Sequence, residues 1–190
     1  DVISFYKKNK KILKKFDILA ETKVDGLSAS LLYKNRKLIK AVTRGDGSFG
    51  EDITNNIFYV DGVKHGLPDT FPADLEIRGE IFMPKSVFKS INKSRINKGE
   101  KTFSTARNAA SGSIRQLDPL ITKNRNLRFF GYTIISDDKY FGNTITDTRQ
   151  VLISHSFILN LPSLLCSTVE EMLMFHNKVS SIREKLEYDI

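Results

Sequence analysis

The sequence predicts an α+β fold with mostly antiparallel strands and peripheral helices. Short apolar segments typical of strands cluster between residues 18 and 43, and they recur at 75–83 and 127–135. Helical spacing of apolar residues marks the amino end and the last third of the chain. The composition, with 40% hydrophobic and 27% charged residues, is that of a globular domain. We therefore expect one sheet-based domain with helices around it.

The predicted elements begin with a helix and continue into a hairpin. Residues 1–17 form a basic amino-terminal helix that leads into the domain. Its polar side carries Lys7, Lys8, Lys10, Lys11, Lys14 and Lys15. This side can be a solvated face or a phosphate-contacting surface. Three strands are predicted at 18–24, 27–33 and 37–44. Asn35 can adopt the positive φ of the tight turn between the last two, and the glycine-rich segment TRGDGSFGED follows.

The second half alternates strands and helices. A strand at 75–83 precedes a helix that begins at Pro84 and stops at Gly99. The segment ARNAASGSIRQL, at 106–117, predicts a short, closely packed helix because it is rich in small residues. The apolar strand at 127–135 comes next.

A helical segment is predicted at 146–187. Thr146 or Asp147 can cap a helix that runs to about Phe157, and Thr168 with Glu171 has capping-box spacing for a second helix. The domain core is predicted to span 18–190 and to be incomplete at its carboxyl end.

Charge and cysteine content narrow the class of protein. Lysine and arginine exceed the acidic residues to give a net charge of +8, which favours an anionic partner such as nucleic acid or a nucleotide. Cys166 is the single cysteine, so the chain has no disulfide framework and no cysteine zinc cluster. The three histidines are too scattered to suggest a metal site. We expect a soluble cytoplasmic monomer without a membrane partner, because no long apolar run or signal peptide is present.

The segment Glu21-Thr-Lys23-Val-Asp25-Gly26 raises a chemical question. Lysine is a covalent nucleophile only when it is deprotonated, and flanking carboxylates oppose deprotonation. Alternation along a strand would place Glu21, Lys23 and Asp25 on one face. These residues alone allow either a ligand pocket or an exposed cluster of charges.

Further charged residues occur in similar settings. Arg44 follows a predicted strand at the RGDG loop, Arg78 and Glu80 share a face of the next strand, and Arg107 and Arg115 flank the small-residue helix. Each has an ordinary structural explanation when it is taken alone, as a turn, a salt-bridged strand or a solvated helix.

Taken together, five segments resemble the adenylation domain of bacterial NAD-dependent DNA ligases. They are ETKVDG, TRGDGSFGEDITNN, LEIRGEIFMP, ARNAASGSIRQLDP and LRFFGY. KxDG alone is weak evidence for this family, but five long motifs in the same order are specific for it. RNAASGSIRQLDP in particular is typical of the NAD-dependent ligases. The resemblance runs from about Leu19 to Tyr132 and more loosely to Ile190. It implies the nucleotidyltransferase fold of DNA ligases.

The resemblance implies a reaction for Lys23. Its amine would attack the α-phosphate of NAD, release nicotinamide mononucleotide and keep AMP as a phosphoramide. The AMP would then pass to the 5′-phosphate of nicked double-stranded DNA, and the 3′-hydroxyl would displace it. Asp25 would orient the lysine or assist the divalent metal, and Arg107 and Arg115 would meet DNA phosphates. Mg²⁺ and the cationic nicotinamide ring would favour the neutral amine.

The remaining roles implied by the resemblance concern the nucleotide. Glu21 would bind the edge of the adenine base, and Arg44 and Glu80 would contact the ribose and its surroundings. Tyr132 would stack on adenine.

The sequence also departs from the family pattern. Ser-Thr-Ala precedes Arg107, and Arg36 replaces the usual hairpin glycine. The family's amino-terminal module is absent before Asp1, and the second lysine motif and later domains are absent after Ile190. We expect this chain to bind adenine nucleotide, to react poorly with NAD and not to seal nicks. Two alternatives remain: an ATP- or GTP-using lysine nucleotidyltransferase, and a non-catalytic basic nucleic-acid-binding module.

Overall fold

The computed structural model describes residues 2–45, 49–136, 141 and 144–190, and it confirms the α+β class. The centre of the glycine-rich loop, residues 46–48, lies outside this range. In chain order the elements are α1 (Val2–Ile12), β1 (Ile18–Glu21), β2 (Leu27–Lys34), β3 (Lys37–Thr43), α2 (Thr54–Ile57), β4 (Leu75–Phe82), α3 (Lys85–Asn97), α4 (Ala106–Ile114), α5 (Pro119–Lys123), β5 (Arg128–Ile135), α6 (Ile145–Ser154), β6 (Ser163–Cys166) and α7 (Val169–Ile182).

The chain divides into two compact units. The larger comprises residues 24–159 and 187–189, and the smaller comprises the chain up to Lys23, residues 160–186 and Ile190. No helix in the described part of the chain is long and apolar enough to cross a membrane.

The larger unit is organised by a four-stranded antiparallel sheet in the order β3-β2-β4-β5. The β2–β3 connection is the tight turn that was predicted, with φ of 49° at Asn35 and 60° at Arg36. Arginine is unusual at such a position, but here its backbone N–H donates to Ala73 O and its Nε donates to Phe71 O. These bonds offset the conformational cost of the missing glycine.

One face of this sheet carries the hydrophobic core. Leu31, Ala41, Ile77, Ile81 and Phe129 are completely shielded from solvent there. Helix α4 packs against the sheet through Ala109, Ala110 and Ile114, which are equally buried. The predicted small-residue helix therefore does pack closely, because alanine lets the helix backbone approach the strands.

The opposite face of the sheet carries polar residues. Ser28 and Ser30 on β2 alternate with the core residues of that strand, as do Arg78 and Glu80 on β4. Serine, arginine and glutamate side chains therefore stand together on the face that the core leaves open.

The smaller unit combines β1 and β6, which pair antiparallel, with α1 and α7. The predicted capping box at the start of α7 is confirmed: Thr168 Oγ1 accepts from the N–H of Glu171, and the Glu171 carboxylate accepts from the N–H of Thr168. No residue of α1 is buried, and the helix contains no acidic residue in its first turn.

Several predicted boundaries were wrong. Strand β1 ends at Glu21 rather than at residue 24, and β6 interrupts the segment 146–187 that was predicted as helical. β6 has only four residues, so its identity as a strand depends on its pairing with β1. The cap of α6 is Thr144, with Asp147 as the third helical residue, and the helix ends at Ser154. α3 begins one residue after Pro84, and α7 ends at Ile182 before a 3₁₀ turn.

Gly79 offers a test of the close packing inside the sheet. A Cβ at this position would overlap the backbone oxygen of Phe130 and the ring of Phe129. Gly79→Ala is expected to lower the free energy of unfolding by about 1–3 kcal/mol, measured by chemical denaturation. The matched control is Gly112→Ala in α4, where the nearest atom to a new Cβ is 3.9 Å away. That change should be neutral or stabilising by about 0.5–1 kcal/mol. Equal effects of the two changes would refute this account of Gly79.

Candidate functional site

Lys23 lies just beyond the end of β1, in an extended segment of the smaller unit. Its side chain is exposed, whereas its neighbours Thr22 and Val24 are only 4% and 8% exposed. The predicted alternation of faces therefore persists although the strand has ended. The backbone before Lys23 is fixed because Asn160 Nδ2 donates to Thr22 O at 2.8 Å. Lys23 is thus presented to solvent from a firmly held backbone.

Glu21 is the last residue of β1 and is also exposed. It lies opposite Ser163 in the β1–β6 pairing. Glu21 and Lys23 share the exposed side of this short segment, as the sequence predicted.

Asp25 belongs to the larger unit and is half-buried. Its N–H donates to Asp189 O at 2.8 Å, and its carboxylate pairs with Arg107 Nη1 at 2.9 Å. Gly26 follows, where a Cβ would overlap the backbone oxygen of Ile81 on β4. Only glycine therefore allows the chain to approach β4 so closely at this point.

A polar cluster connects three strands on the open face of the sheet. Ser28 lies opposite Glu80, and its hydroxyl donates to Glu80 Oε2 at 2.7 Å. The backbone oxygen of Ser28 accepts from the N–H of Arg44 at 2.9 Å. The charges of Glu80, Arg78 and Arg44 all act on the Tyr132 phenol, so this side chain lies near the cluster. The structure therefore brings together Arg44, Glu80 and Tyr132, with Ser28 at the centre.

Tyr132 reaches this cluster through an irregularity in β5. Gly131 pairs with Gly79 and Thr133 pairs with Arg78, so Tyr132 is an extra residue without a partner in the ladder. Burial raises the pKa of the Tyr132 phenol, and the nearby Glu80 charge raises it further. The Ser28 hydrogen bond and the charges of Arg78 and Arg44 act in the opposite direction. The phenol is therefore protonated at neutral pH and can donate a hydrogen bond.

The two arginines of the α4 region lie in ion pairs. Arg107 pairs with Asp25 as described, and Arg115 Nε lies 2.6 Å from Glu51 Oε2. All four side chains are between 43% and 55% exposed. Exposed pairs of this kind contribute little, typically below about 1 kcal/mol. An anionic ligand could therefore displace either carboxylate at a small cost.

The start of α4 explains one departure from the family pattern. Thr105, in the Ser-Thr-Ala segment before Arg107, is the N-cap of α4, and its Oγ1 accepts from the N–H of Asn108 at 3.0 Å. The departure therefore supplies a helix cap and leaves Arg107 in the first turn of the helix.

Sequence reasoning missed Ser28 as part of this cluster. A serine in a predicted strand has no pattern that distinguishes it, and only the β2–β4 register shows that it lies opposite Glu80. It also missed the partners of Arg78, which bonds Glu76 Oε1 at 2.6 Å. A signal was available there, because residues 76 and 78 share a face of a strand.

The described residues contain no group of three His, Cys, Asp or Glu side chains that could hold a metal ion. Protein sites for Mg²⁺ often use only one or two carboxylates, with water and substrate phosphates completing the coordination. A Mg²⁺ site of that kind needs no cluster of three protein ligands.

Comparison with solved structures finds a chain of similar fold. A structure titled "Pmar-Lig_Pre." superposes with a TM-score of 0.55 over 94% of this chain and 38% of that chain, at 13% sequence identity. This likeness concerns the fold alone.

The family match is specific. The profile of the NAD-dependent DNA ligase adenylation domain matches residues 1–190, and the chain belongs to this family. It is 42% identical over 172 residues to a DNA ligase of Hyphomonas neptunium, covering 90% of this chain and 24% of the relative. It is 39% identical over 200 residues to a DNA ligase of Hahella chejuensis, and this match covers 100% of this chain and 29% of the relative. The chain thus spans about a quarter of the length of these relatives.

The electrostatic description of Tyr132 is testable by titration. Glu80→Gln should lower the pKa of the Tyr132 phenol because a negative neighbour is removed, and Arg44→Gln should raise it because a positive neighbour is removed. The measurement is NMR of ¹³C-labelled tyrosine rings over alkaline pH, with Tyr132→Phe to identify the signal. Shifts in the same direction for both variants would contradict this arrangement.

The weakness of the Asp25–Arg107 pair can be measured with a double-mutant cycle of Asp25→Asn and Arg107→Gln. We expect a coupling energy below about 1 kcal/mol in urea unfolding, because both side chains are half-exposed. The cycle for Glu51 and Arg115, which are similarly exposed, is the matched control and should give a similar value. A coupling of several kcal/mol would mean that Arg107 is committed to Asp25 and is not available to a ligand.

Proposed function

We propose that the chain is the nucleotidyltransferase core of an NAD-dependent DNA ligase and that Lys23 is its covalent nucleophile. The observation that carries the proposal is the exposed Lys23 in a KxDG segment whose neighbouring side chains are buried and whose backbone is anchored. Membership in the adenylation-domain family supplies the reaction class.

The proposed step is a nucleotidyl transfer. The neutral amine of Lys23 donates its lone pair to the α-phosphorus of NAD, and a nitrogen–phosphorus bond forms. The bond from that phosphorus to the bridging oxygen breaks, and nicotinamide mononucleotide leaves with the electron pair. The nitrogen loses one proton to solvent, and AMP remains on the lysine as a phosphoramide.

We assign the nucleotide contacts to the polar cluster and to Glu21. The Glu80 carboxylate would accept hydrogen bonds from ribose hydroxyls, and Arg44 would lie beside the sugar. The ring of Tyr132 would stack on adenine, and Glu21 would accept from the exocyclic amine of the base. Support comes from the proximity of Arg44, Glu80 and Tyr132 around Ser28.

Contacts with nicked DNA are assigned to Arg107 and Arg115. Both guanidinium groups are accessible, and their geometry suits phosphate oxygens. Asp25 would then act near Lys23, either by orienting the amine or by assisting Mg²⁺. Transfer of AMP to DNA and sealing of the nick are proposed for the whole ligase, since the relatives are much longer than this chain. We propose further that the protein acts as a monomer in the cytoplasm without a membrane partner.

Lys23 is tested by mass spectrometry after incubation of the chain with NAD and Mg²⁺. We expect an AMP adduct, formed slowly, on the peptide that contains Lys23. Lys23→Ala should abolish it, because no other amine would be in position. Lys34→Ala, which removes an exposed lysine at the β2–β3 turn, is the matched control and should leave the adduct unchanged.

The same assay separates the alternatives. An adduct on another lysine would refute the assignment of Lys23. An adduct from ATP or GTP but not from NAD would favour a different lysine nucleotidyltransferase. Salt-dependent DNA binding without any nucleotide adduct would favour the basic nucleic-acid-binding module.

A further inference from the structure

Ser28 lies within the polar cluster but has been assigned no role in nucleotide binding. It lies near the start of β2 on the open face of the sheet, directly opposite Glu80 in the β2–β4 pairing. Its hydroxyl donates to Glu80 Oε2 at 2.7 Å. This small side chain therefore bonds the carboxylate that is proposed to bind the ribose.

The chemistry of a hydroxyl fixes the direction of this bond. Serine has one proton to donate, and at Ser28 it is donated to the Glu80 carboxylate. A hydrogen bond to an ionised acceptor is stronger than one between neutral groups, so it can hold the carboxylate in one orientation.

The backbone of Ser28 adds a second connection. Its carbonyl oxygen accepts from the N–H of Arg44 at 2.9 Å, where the chain leaves β3 for the glycine-rich loop. The position of Ser28 is therefore set by the sheet, through its pairing with β4, and by the start of that loop. Because the backbone of Ser28 is fixed, its hydroxyl can hold the more flexible Glu80 side chain in place.

We propose that Ser28 is a positioning residue for nucleotide recognition: its hydroxyl holds the Glu80 carboxylate in the orientation that binds the ribose of the nucleotide. The inference rests on the proposed function, because it takes the ribose role of Glu80 from there. It adds a residue that contacts neither the α-phosphate nor the nucleophile.

Loss of the Ser28 hydroxyl should affect binding of the ribose but not binding of the phosphate. Glutamate has three rotatable side-chain bonds, and loss of the Ser28 bond would let its carboxylate sample orientations that do not face the ribose. Affinity that depends on ribose hydroxyls should fall, while affinity from the phosphate should not.

The test compares AMP with 2′,3′-dideoxy-AMP as ligands, measured by calorimetry on the chain and its variants. In the unmodified chain, removal of the ribose hydroxyls should weaken binding. In Ser28→Ala we expect AMP affinity to fall about tenfold, as for loss of one hydrogen bond to a charged group, with little change for the dideoxy ligand. Ser28→Thr keeps the hydroxyl and should restore the preference for AMP.

Ser30→Ala is the matched control. Ser30 lies on the same strand and face, but it is paired with Arg78 and not with Glu80. Ser30→Ala should leave both affinities unchanged. The ratio of the two affinities is measured on one protein sample, so it is insensitive to a small unfolded fraction.

Glu80→Gln separates failure of this inference from failure of the proposed function. If Glu80→Gln weakens AMP binding and Ser28→Ala does not, the positioning role of Ser28 is overturned and the nucleotide site stands. If neither change affects AMP binding, the proposed nucleotide site fails and the inference fails with it. Equal losses of AMP and dideoxy-AMP in Ser28→Ala would also overturn the positioning role.

Discussion

The close approach of backbones around β4 is the constraint on which the larger unit depends. This strand pairs with β2 on one side and β5 on the other, and Gly79 lies against the carbonyl of Phe130 where a Cβ would overlap it. Gly26 approaches β4 in the same way at Ile81. Glycine at these two places lets the backbones approach without a clash. The β2–β4 pairing that results places Ser28 opposite Glu80 on the open face of the sheet.

The candidate site combines a hydrogen bond to a half-buried carboxylate with exposed ion pairs. The Ser28 hydroxyl donates to Glu80 in a half-buried setting, where a hydrogen bond gains more than it does in water. Asp25, Glu51, Arg107 and Arg115 pair in the open, where solvent screens them. The half-buried hydrogen bond is suited to a fixed geometry, as a small ligand requires. The exposed ion pairs can exchange partners, as contact with a long polyanion requires.

Much of the fold followed from local patterns. The strands of the main sheet, the tight turn at Asn35 and the capping box at Thr168 each depend on residues close in sequence, and each was confirmed. The predictions that were wrong concerned elements whose pairing partners are distant in the sequence. β6 is a strand because β1 lies beside it, and β1 stops at Glu21 although the next residues continue its alternation of burial.

The candidate residues were likewise found by motif and not by contact. Arg44, Glu80 and Tyr132 were named from the sequence and do lie together, whereas Ser28 at their centre was not named. The pairing of Asp25 with Arg107 joins residues 82 positions apart, and no local pattern indicates it.

The extra residue in β5 has a consequence for changes in chain length. Before Tyr132 the core-facing residues are Phe129 and Gly131, and after it the core-facing residue is Ile134. Deletion of residue 132 would restore regular pairing and leave these positions facing the core. Deletion nearer the start of β5 would instead turn the preceding residues over. A single deletion could therefore remove the aromatic residue of the candidate site without disturbing the hydrophobic core. If relatives keep the length of β5 at this point, the reason is then function and not packing.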